Sequence, residues 1–371
     1  MSLANFRTLG RSGLVVSPMA LGTMTFGAER WGSNEVGSRA CFDAYVEAGG
    51  NFIDSADVYS GGRTDEMVGR FIAERKLRDK LVVASKAGFS REAGHPLAGG
   101  NGAKNIKVSL ENSLRRLQTD YVDLFWIHVW DMVTPAEEVL QTITTLMRAG
   151  KILYYGISNA PAWYVAKLAT LATAHGVPAP IALQYEYSLV ERNIEREHVP
   201  MANDFGLGLL PWAPLGAGLL SGKYRRQDWE GKARKGFGDL PSKAMSNEQG
   251  HEPVSDGRLN GANPFGDTKF TTRNWQIVGV VQEIAREIGC SPAQVALAWV
   301  LGKSSVGSVI VGASRVEQLQ ENLKALEIRF TPEQKARLDE VSALEPRYPD
   351  GLFSPMVNRM VFGGQTVTGH R

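Results

Sequence analysis

NFIDSADVY (51–59), read together with LVVASK (81–86) and YVDLFWIH (121–128), decides the fold of this chain. Each opens with a short apolar or β-branched run of strand type and closes on a side chain that can hold or share a proton: Asp54 with Tyr59 just beyond it, then Lys86, then His128. In a barrel of parallel strands the C-terminal strand ends converge on one face, so a carboxylate, a phenol, an amine and an imidazole far apart in sequence can meet in one pocket. Taken singly, each has an ordinary explanation as packing, a solvated strand end or a satisfied half-buried histidine. Their joint placement at successive strand ends carries the reading.

Outward from this core, the same alternation continues along the chain. Apolar runs occur at 19–23 (MALGT), 51–54, 81–85, 122–127, 152–157 (ILYYGI), 181–185 (IALQY), 207–212 (LGLLPW) and 306–311 (VGSVIV). Amphipathic stretches follow near 35–48, 64–76, 104–118, 135–149, 161–175, 194–205, 274–289 and 315–326. Eight βα units predict a closed (β/α)8 TIM barrel, an α/β fold. Thr134 is expected to cap the helix that Pro135 opens, with Gly150 past its end, and Ser291-Pro292 opens an extra helix beside the one at 274–289. The opening FRTLGRSGLVVS (6–17) reads as an N-terminal β-hairpin plugging the lower end of the barrel. The chain, 1–371, is expected to be a single barrel domain. A long loop after strand seven, about 222–273, and an irregular C-terminal tail, about 346–371, are both placed near the catalytic face.

Composition narrows the function. With 41 basic and 39 acidic side chains the net charge is +2, so no strong field argues for nucleic acid or an anionic membrane. The N-terminus lacks a signal-peptide pattern, and no apolar run approaches the ~20 residues of a membrane span. Two cysteines, Cys41 and Cys290, give no disulfide framework, which suits a reducing, cytoplasmic setting. The six histidines show no ligand spacing, so no metal site is expected. GAGLLSG (216–222) has a GxGxxxG spacing after a late strand, which is not a Rossmann turn.

The four side chains suggest a mechanism by themselves. A free phenol titrates near ~10 and is a reluctant acid at neutral pH. A lysine ammonium close to Tyr59 would stabilise its phenolate, and a carboxylate beside that lysine would keep the ammonium charged and oriented. Asp54 and Lys86 supply those parts, while His128 can hydrogen-bond the same substrate oxygen. At the other end of the barrel order, Gly312, Ala313, Ser314 and Arg315 lead from a strand into a helix, presenting backbone N–H groups and a positive dipole to a phosphate.

GNFIDSADVYSGGRTDEMVGRFI (50–72), VVASKAG, SLENSLRRLQTDYVDLFWIHVWD, GKILYYGISN, ALQYEYSL, PWAPLGAGLLSGKY and VIVGASRVEQLQENLKAL, occurring in this order over residues 6 to about 326, closely resemble the aldo-keto reductases. The length and the long loop resemble the long-chain, aryl-alcohol dehydrogenase-like branch. The resemblance implies a barrel that binds NADPH/NADP+ without a Rossmann domain and reduces aldehydes or ketones, with Asp54, Tyr59, Lys86 and His128 as catalytic tetrad. It implies that Ser158, Asn159 and Gln184 hold the nicotinamide carboxamide and that Trp212 stacks on its ring. Gly22, Thr23, Met24, Asp54, Pro214, Leu215 and Gly312 also fall among the cofactor positions, with Lys223 near the pyrophosphate. Ser314, Arg315 and Gln318 are matched to the adenosine 2′-phosphate, and Glu321 and Asn322 to the adenine. Ala213 stands where the family commonly has serine.

The loops after the strands carry Met24, Phe26, Trp31, Val58, Phe89, Trp130 and Trp229, an aromatic and weakly charged set expected to line the substrate pocket, with Met24, Trp31, Phe89 and Trp130 foremost. A hydrophobic or aromatic carbonyl compound is the expected partner, reduced to the alcohol or formed from it in reverse. A homo-oligomer stays open. The alternative of another class is an NADPH-binding regulatory or sensor subunit resembling the potassium-channel beta subunits; the absence of a long N-terminal extension favours the enzyme.

Overall fold

The computed structural model describes residues 2–28, 31–228, 259 and 268–368. Strands β1 (Arg7–Thr8) and β2 (Val15–Val16) form the antiparallel hairpin. Eight parallel strands follow: β3 (Met19–Gly22), β4 (Phe52–Asp54), β5 (Val82–Ala87), β6 (Val122–Ile127), β7 (Ile152–Ser158), β8 (Ala182–Glu186), β9 (Gly208–Trp212) and β10 (Val309–Val311). Their order is β10-β3-β4-β5-β6-β7-β8-β9. The ring closes through a parallel bridge between Leu209 and Val306, where Leu209 N–H donates to the Ser305 carbonyl and Gly307 N–H to the Leu209 carbonyl, both at 2.9 Å.

The helices are α1 (Glu35–Glu47), α2 (Arg63–Arg75), α3 (Ala103–Leu117), α4 (Ala136–Arg148), α5 (Ala162–Ala174), α6 (His198–Phe205), α7 (Thr272–Ile288), α8 (Pro292–Leu301), α9 (Val316–Leu323), α10 (Pro332–Val341) and α11 (Pro355–Val361). Ser291 caps α8 through a full capping box with Gln294, as its sequence predicts. Thr134 does not cap α4. Pro135 takes the N-cap position, and the Thr134 amide and hydroxyl are both drawn to the Asp131 carboxylate, at 2.9 and 2.6 Å. An ionised acceptor three residues upstream outcompetes the neutral cap role. Most of the expected loop at 222–273, including Trp229, lies outside the described residues.

Two layers of core follow from the period of two along each strand. Leu21, Ile53, Val83, Phe125, Ile127 and Leu183 pack outward under the helices. Ala20, Phe52, Ala84, Leu124, Trp126, Ala182, Leu210 and Ile310 fill the interior, where Leu9, Leu14 and Val16 of the hairpin close the lower end. Gly156 makes room for Trp126: a Cβ there would stand 2.3 Å from the indole ring. The packed interior rules out a pore and leaves the upper mouth as the place for chemistry.

Candidate active site

Strand stagger lifts the polar side chains to that mouth. Asp54 is in register with Ala84, so Lys86 sits two residues higher on β5. Lys86 is in register with Trp126, and His128 lies two residues beyond it; Trp126 pairs with Gly156, and Ser158 lies two beyond that, level with Gln184. Because the period is two, all of these side chains share the inner face. The sequence-predicted tetrad and its nearest cofactor positions therefore form one rising ring.

Lys86 is fully buried and uses each of its three N–H groups. Its Nζ donates to Asp54 Oδ2 at 2.5 Å, to the Ser55 carbonyl at 2.7 Å and to the Tyr59 hydroxyl at 3.1 Å. Burial alone would lower the lysine pKa, but the adjacent Asp54 carboxylate and Tyr59 outweigh it and raise the ammonium above its ordinary value. The second oxygen of Asp54 accepts from Gln184 Nε2 at 2.9 Å. Tyr59 opens a 3-10 turn, Tyr59–Gly62, and its ring meets His128 edge-on with centroids 6.0 Å apart. His128 is pushed well below its ordinary pKa, first by burial and then by Lys86, so it is neutral at physiological pH. Its Nδ1 is buried without a hydrogen-bond partner among the described residues.

The neighbouring polar set is knitted together. Ser158 Oγ donates to the Gln184 carbonyl at 2.8 Å; Asn159 Nδ2 donates to the His128 carbonyl at 2.9 Å and to Ser158 Oγ at 2.8 Å. Asn159 adopts φ 48°, and its Oδ1 accepts from Trp212 Nε1 at 3.2 Å, pinning the half-buried indole at the end of β9. A pinned flat aromatic beside a cluster of amide and hydroxyl groups suits a planar ring bearing a carboxamide. Thr23 ties β3 to β4 through its amide and hydroxyl, both 3.0 Å from the Asp54 carbonyl; Gly22 pairs with Asp54 in register. Thr25 Oγ1 reaches the Ala313 carbonyl at 2.9 Å, joining this loop to the one after β10.

At that loop Arg315 is the N-cap residue of α9 and no side chain caps the helix, which leaves its N-terminus suited to an anion. Gln318 Oε1 accepts from the Ser314 amide and hydroxyl, at 3.2 and 3.0 Å. Glu321 is held by Gln294 at 2.8 Å and Lys324 at 3.0 Å, and Asn322 is buried. Pro214 and Leu215 follow Trp212 and Ala213, the latter at φ 48°, and the Lys223 ammonium lies 5.2 Å from the Tyr224 ring centroid.

Around the mouth, Phe89 is 37% exposed and meets His128 edge-on at 4.7 Å. Trp130 is half-buried against Trp163 and Tyr164; Met24, Trp31 and Val58 are half-buried. Phe26 differs from its expected place on a pocket wall: it is fully buried, with its ring 6.5 Å from Phe71. A surface cleft lined by Arg7, Arg11, Asn203 and Lys303 lies at the other, lower end of the strands. Sequence reading missed Ser55, Asp57 and Asp65, buried polar residues on the outer face of the sheet behind Asp54 and Lys86. All three lie in the stretch 50–72 that also holds Asp54 and Tyr59, and only their burial sets them apart from ordinary loop and helix-start residues.

Comparison with known proteins identifies the family. The family model described as the aldo/keto reductase family matches residues 18–343. The chain is 34% identical over 348 residues to a norsolorinic acid reductase of Emericella nidulans, covering 91% of this chain and 81% of that protein. It is 33% identical over 357 residues to an NADP(+) aryl-alcohol dehydrogenase of Phanerodontia chrysosporium, covering 92% and 86%. An aryl-alcohol dehydrogenase of Pestalotiopsis microspora is 32% identical over 347 residues, covering 91% and 82%. Barrel, mouth and matches together define the class: the chain belongs to the aldo-keto reductase family. It is an NAD(P)H-dependent oxidoreductase of carbonyl compounds. Among the described residues no helix is long and apolar enough to cross a membrane.

Proposed function

We propose that this protein reduces aromatic or otherwise hydrophobic aldehydes and ketones with NADPH, that Tyr59 is the proton donor, and that the reaction also runs in reverse on the alcohol. The observation that carries the reading is the saturation of Lys86: three N–H groups meet three acceptors, one of them the Tyr59 hydroxyl. A hydroxyl that accepts from an ammonium keeps its own proton for another partner, and the nearby positive charge stabilises the phenolate left behind. Asp54 keeps the lysine charged, while Gln184 fixes the other carboxylate oxygen.

A nicotinamide dinucleotide held at this mouth would supply hydride-transfer chemistry toward the substrate carbonyl. Ser158, Asn159 and Gln184 would hold its carboxamide, and Trp212, pinned by Asn159, would face its ring. Since Nδ1 of the neutral His128 has no partner, a tautomer carrying its proton on Nε2 avoids an orphaned buried N–H and can donate to the substrate oxygen. The same reading places Ser314 and Arg315, at the uncapped start of α9, on the 2′-phosphate. It also takes the chain as one barrel domain working in a reducing, cytoplasmic setting; Cys41 and Cys290 are free thiols.

Phe89 beside His128 and the half-buried Trp130 favour a flat apolar substrate, in keeping with relatives named for aryl alcohols and norsolorinic acid. Steady-state assays with NADPH and a panel of carbonyl compounds test this: saturable turnover of aromatic aldehydes is expected. Saturable activity on small anionic sugars with none on aromatic aldehydes contradicts it. The regulatory alternative instead requires tight nucleotide binding with very slow turnover across the whole panel.

A further inference from the structure

Behind the strand ends that carry Asp54 and Lys86, on the outer face of the sheet under α2 and α3, lies a buried polar cluster that takes no direct part in proton donation. Asp65, the third residue of α2, is fully buried, and both its oxygens are occupied: Oδ1 accepts from Ser55 Oγ at 2.5 Å and Oδ2 from Ser113 Oγ on α3 at 2.8 Å. Ser113 Oγ is in turn 2.9 Å from Ser85 Oγ, on the strand residue that precedes Lys86. Ser55 is the residue whose carbonyl receives the second N–H of Lys86, and its own amide donates to the Ala84 carbonyl at 2.9 Å. One carboxylate thus grips both the chain segment that provides an acceptor to Lys86 and, through Ser113, the neighbour of Lys86 itself.

From this geometry we infer that Asp65 is a positioning residue for the proton donor: by clamping Ser55 and Ser113 it holds the Ser55 carbonyl under the Lys86 ammonium and so directs the third N–H of Lys86 at Tyr59. The inference rests on the reading of Tyr59 as acid. A purely packing role is met more cheaply by an uncharged side chain, because a buried carboxylate costs desolvation unless its hydrogen bonds are needed. Each serine has a single hydroxyl proton, so a charged Asp65 fixes the direction of the whole chain: Ser55 and Ser113 donate to it, and Ser85 donates to Ser113. Burial pushes Asp65 up to about 6 against the opposing pull of Ser55, Ser113, Arg116 and Lys86, so the carboxylate is charged at neutral pH. The charged groups around it include Arg116, Lys86 and Asp57, and Tyr59 faces Lys86, itself paired with Asp54, with neutral His128 at the edge.

The test is the titration of Tyr59 in the cofactor-free protein, read from tyrosinate absorbance as the difference between each variant and the same variant carrying Tyr59→Phe. Asp65→Asn is expected to move this titration upward by about one pH unit, since a loosened ammonium stabilises the phenolate less, and to lower kcat roughly tenfold. Removing a nearby negative charge without any loss of positioning would move it downward, so the direction separates the two roles. Ser55→Ala should shift it the same way, and the Asp65→Asn/Ser55→Ala pair should show less than the sum of the single effects. An unmoved or lowered titration in folded Asp65→Asn, or additive effects, overturns the inference. If Asp65→Asn does not fold, Ser113→Ala, which keeps the charge, must give the upward shift; no shift there overturns it equally. Should Tyr59→Phe match the wild type in turnover, the assignment of Tyr59 falls, an outcome distinct from failure of the Asp65 clamp.

Discussion

Asp57 gives the molecule its clearest single-residue pH signature. Its carboxylate is buried and lies 3.6 Å from Arg91 Nε, and neither oxygen accepts a well-formed hydrogen bond among the described residues. Burial pushes its pKa up to about 7, against the opposing pull of Ser109, Arg91 and Arg116 and with a further push from Asp65. A folded-state pKa above the unfolded value means that the contribution to stability is full below the ordinary carboxylate range and is lost as pH rises through about 7. Asp57→Asn removes that loss. Thermal unfolding should show the variant gaining on the wild type between acid and mildly alkaline pH, by on the order of 2–4 kcal/mol at most. A difference that stays constant with pH would contradict this. At this scale Asp54, Tyr59, Lys86 and His128 were legible because each stands at a strand end, where an ionisable side chain is conspicuous. Ser55, Asp57 and Asp65 were not, because a serine or an aspartate in a loop or in the first turn of a helix is ordinary until burial is known.

At the scale of elements, the proposed preference for NADPH over NADH rests on α9. Its N-terminus lacks a side-chain cap and begins at Arg315, so a phosphate there would meet both the helix dipole and a guanidinium. Arg315→Ala should weaken NADPH binding about tenfold or more while leaving NADH within roughly twofold, since a charge-assisted contact of ~1.5–3 kcal/mol is lost only where the phosphate exists. Fluorescence titration with each nucleotide measures this; an unchanged ratio puts the 2′-phosphate elsewhere. The eight strands and the helices of the barrel were readable from period and turn chemistry, with ends displaced by a few residues. Helix α10 escaped although Thr331 and Gln334 form a capping box around Pro332 at the first helical position, because it follows the eighth unit and no barrel position called for it. The Thr134 cap failed for a contextual reason, the Asp131 carboxylate, which no pattern along α4 contains.

In the whole molecule the fold and the site have one cause. Packing Trp126 and its neighbours inside the barrel, with the hairpin below, closes every route but the upper mouth, and the strand stagger raises Asp54, Lys86, His128 and Ser158 to it in turn. The claim on which the account turns is that Tyr59, held by Lys86, gives the proton. Tyr59→Phe keeps the ring and its packing and removes only the hydroxyl, so NADPH affinity measured by fluorescence and kcat measured with an aromatic aldehyde can be compared directly. An unchanged nucleotide Kd with kcat reduced by roughly 10²–10⁴-fold is expected. A variant that turns over as fast as the wild type would contradict it.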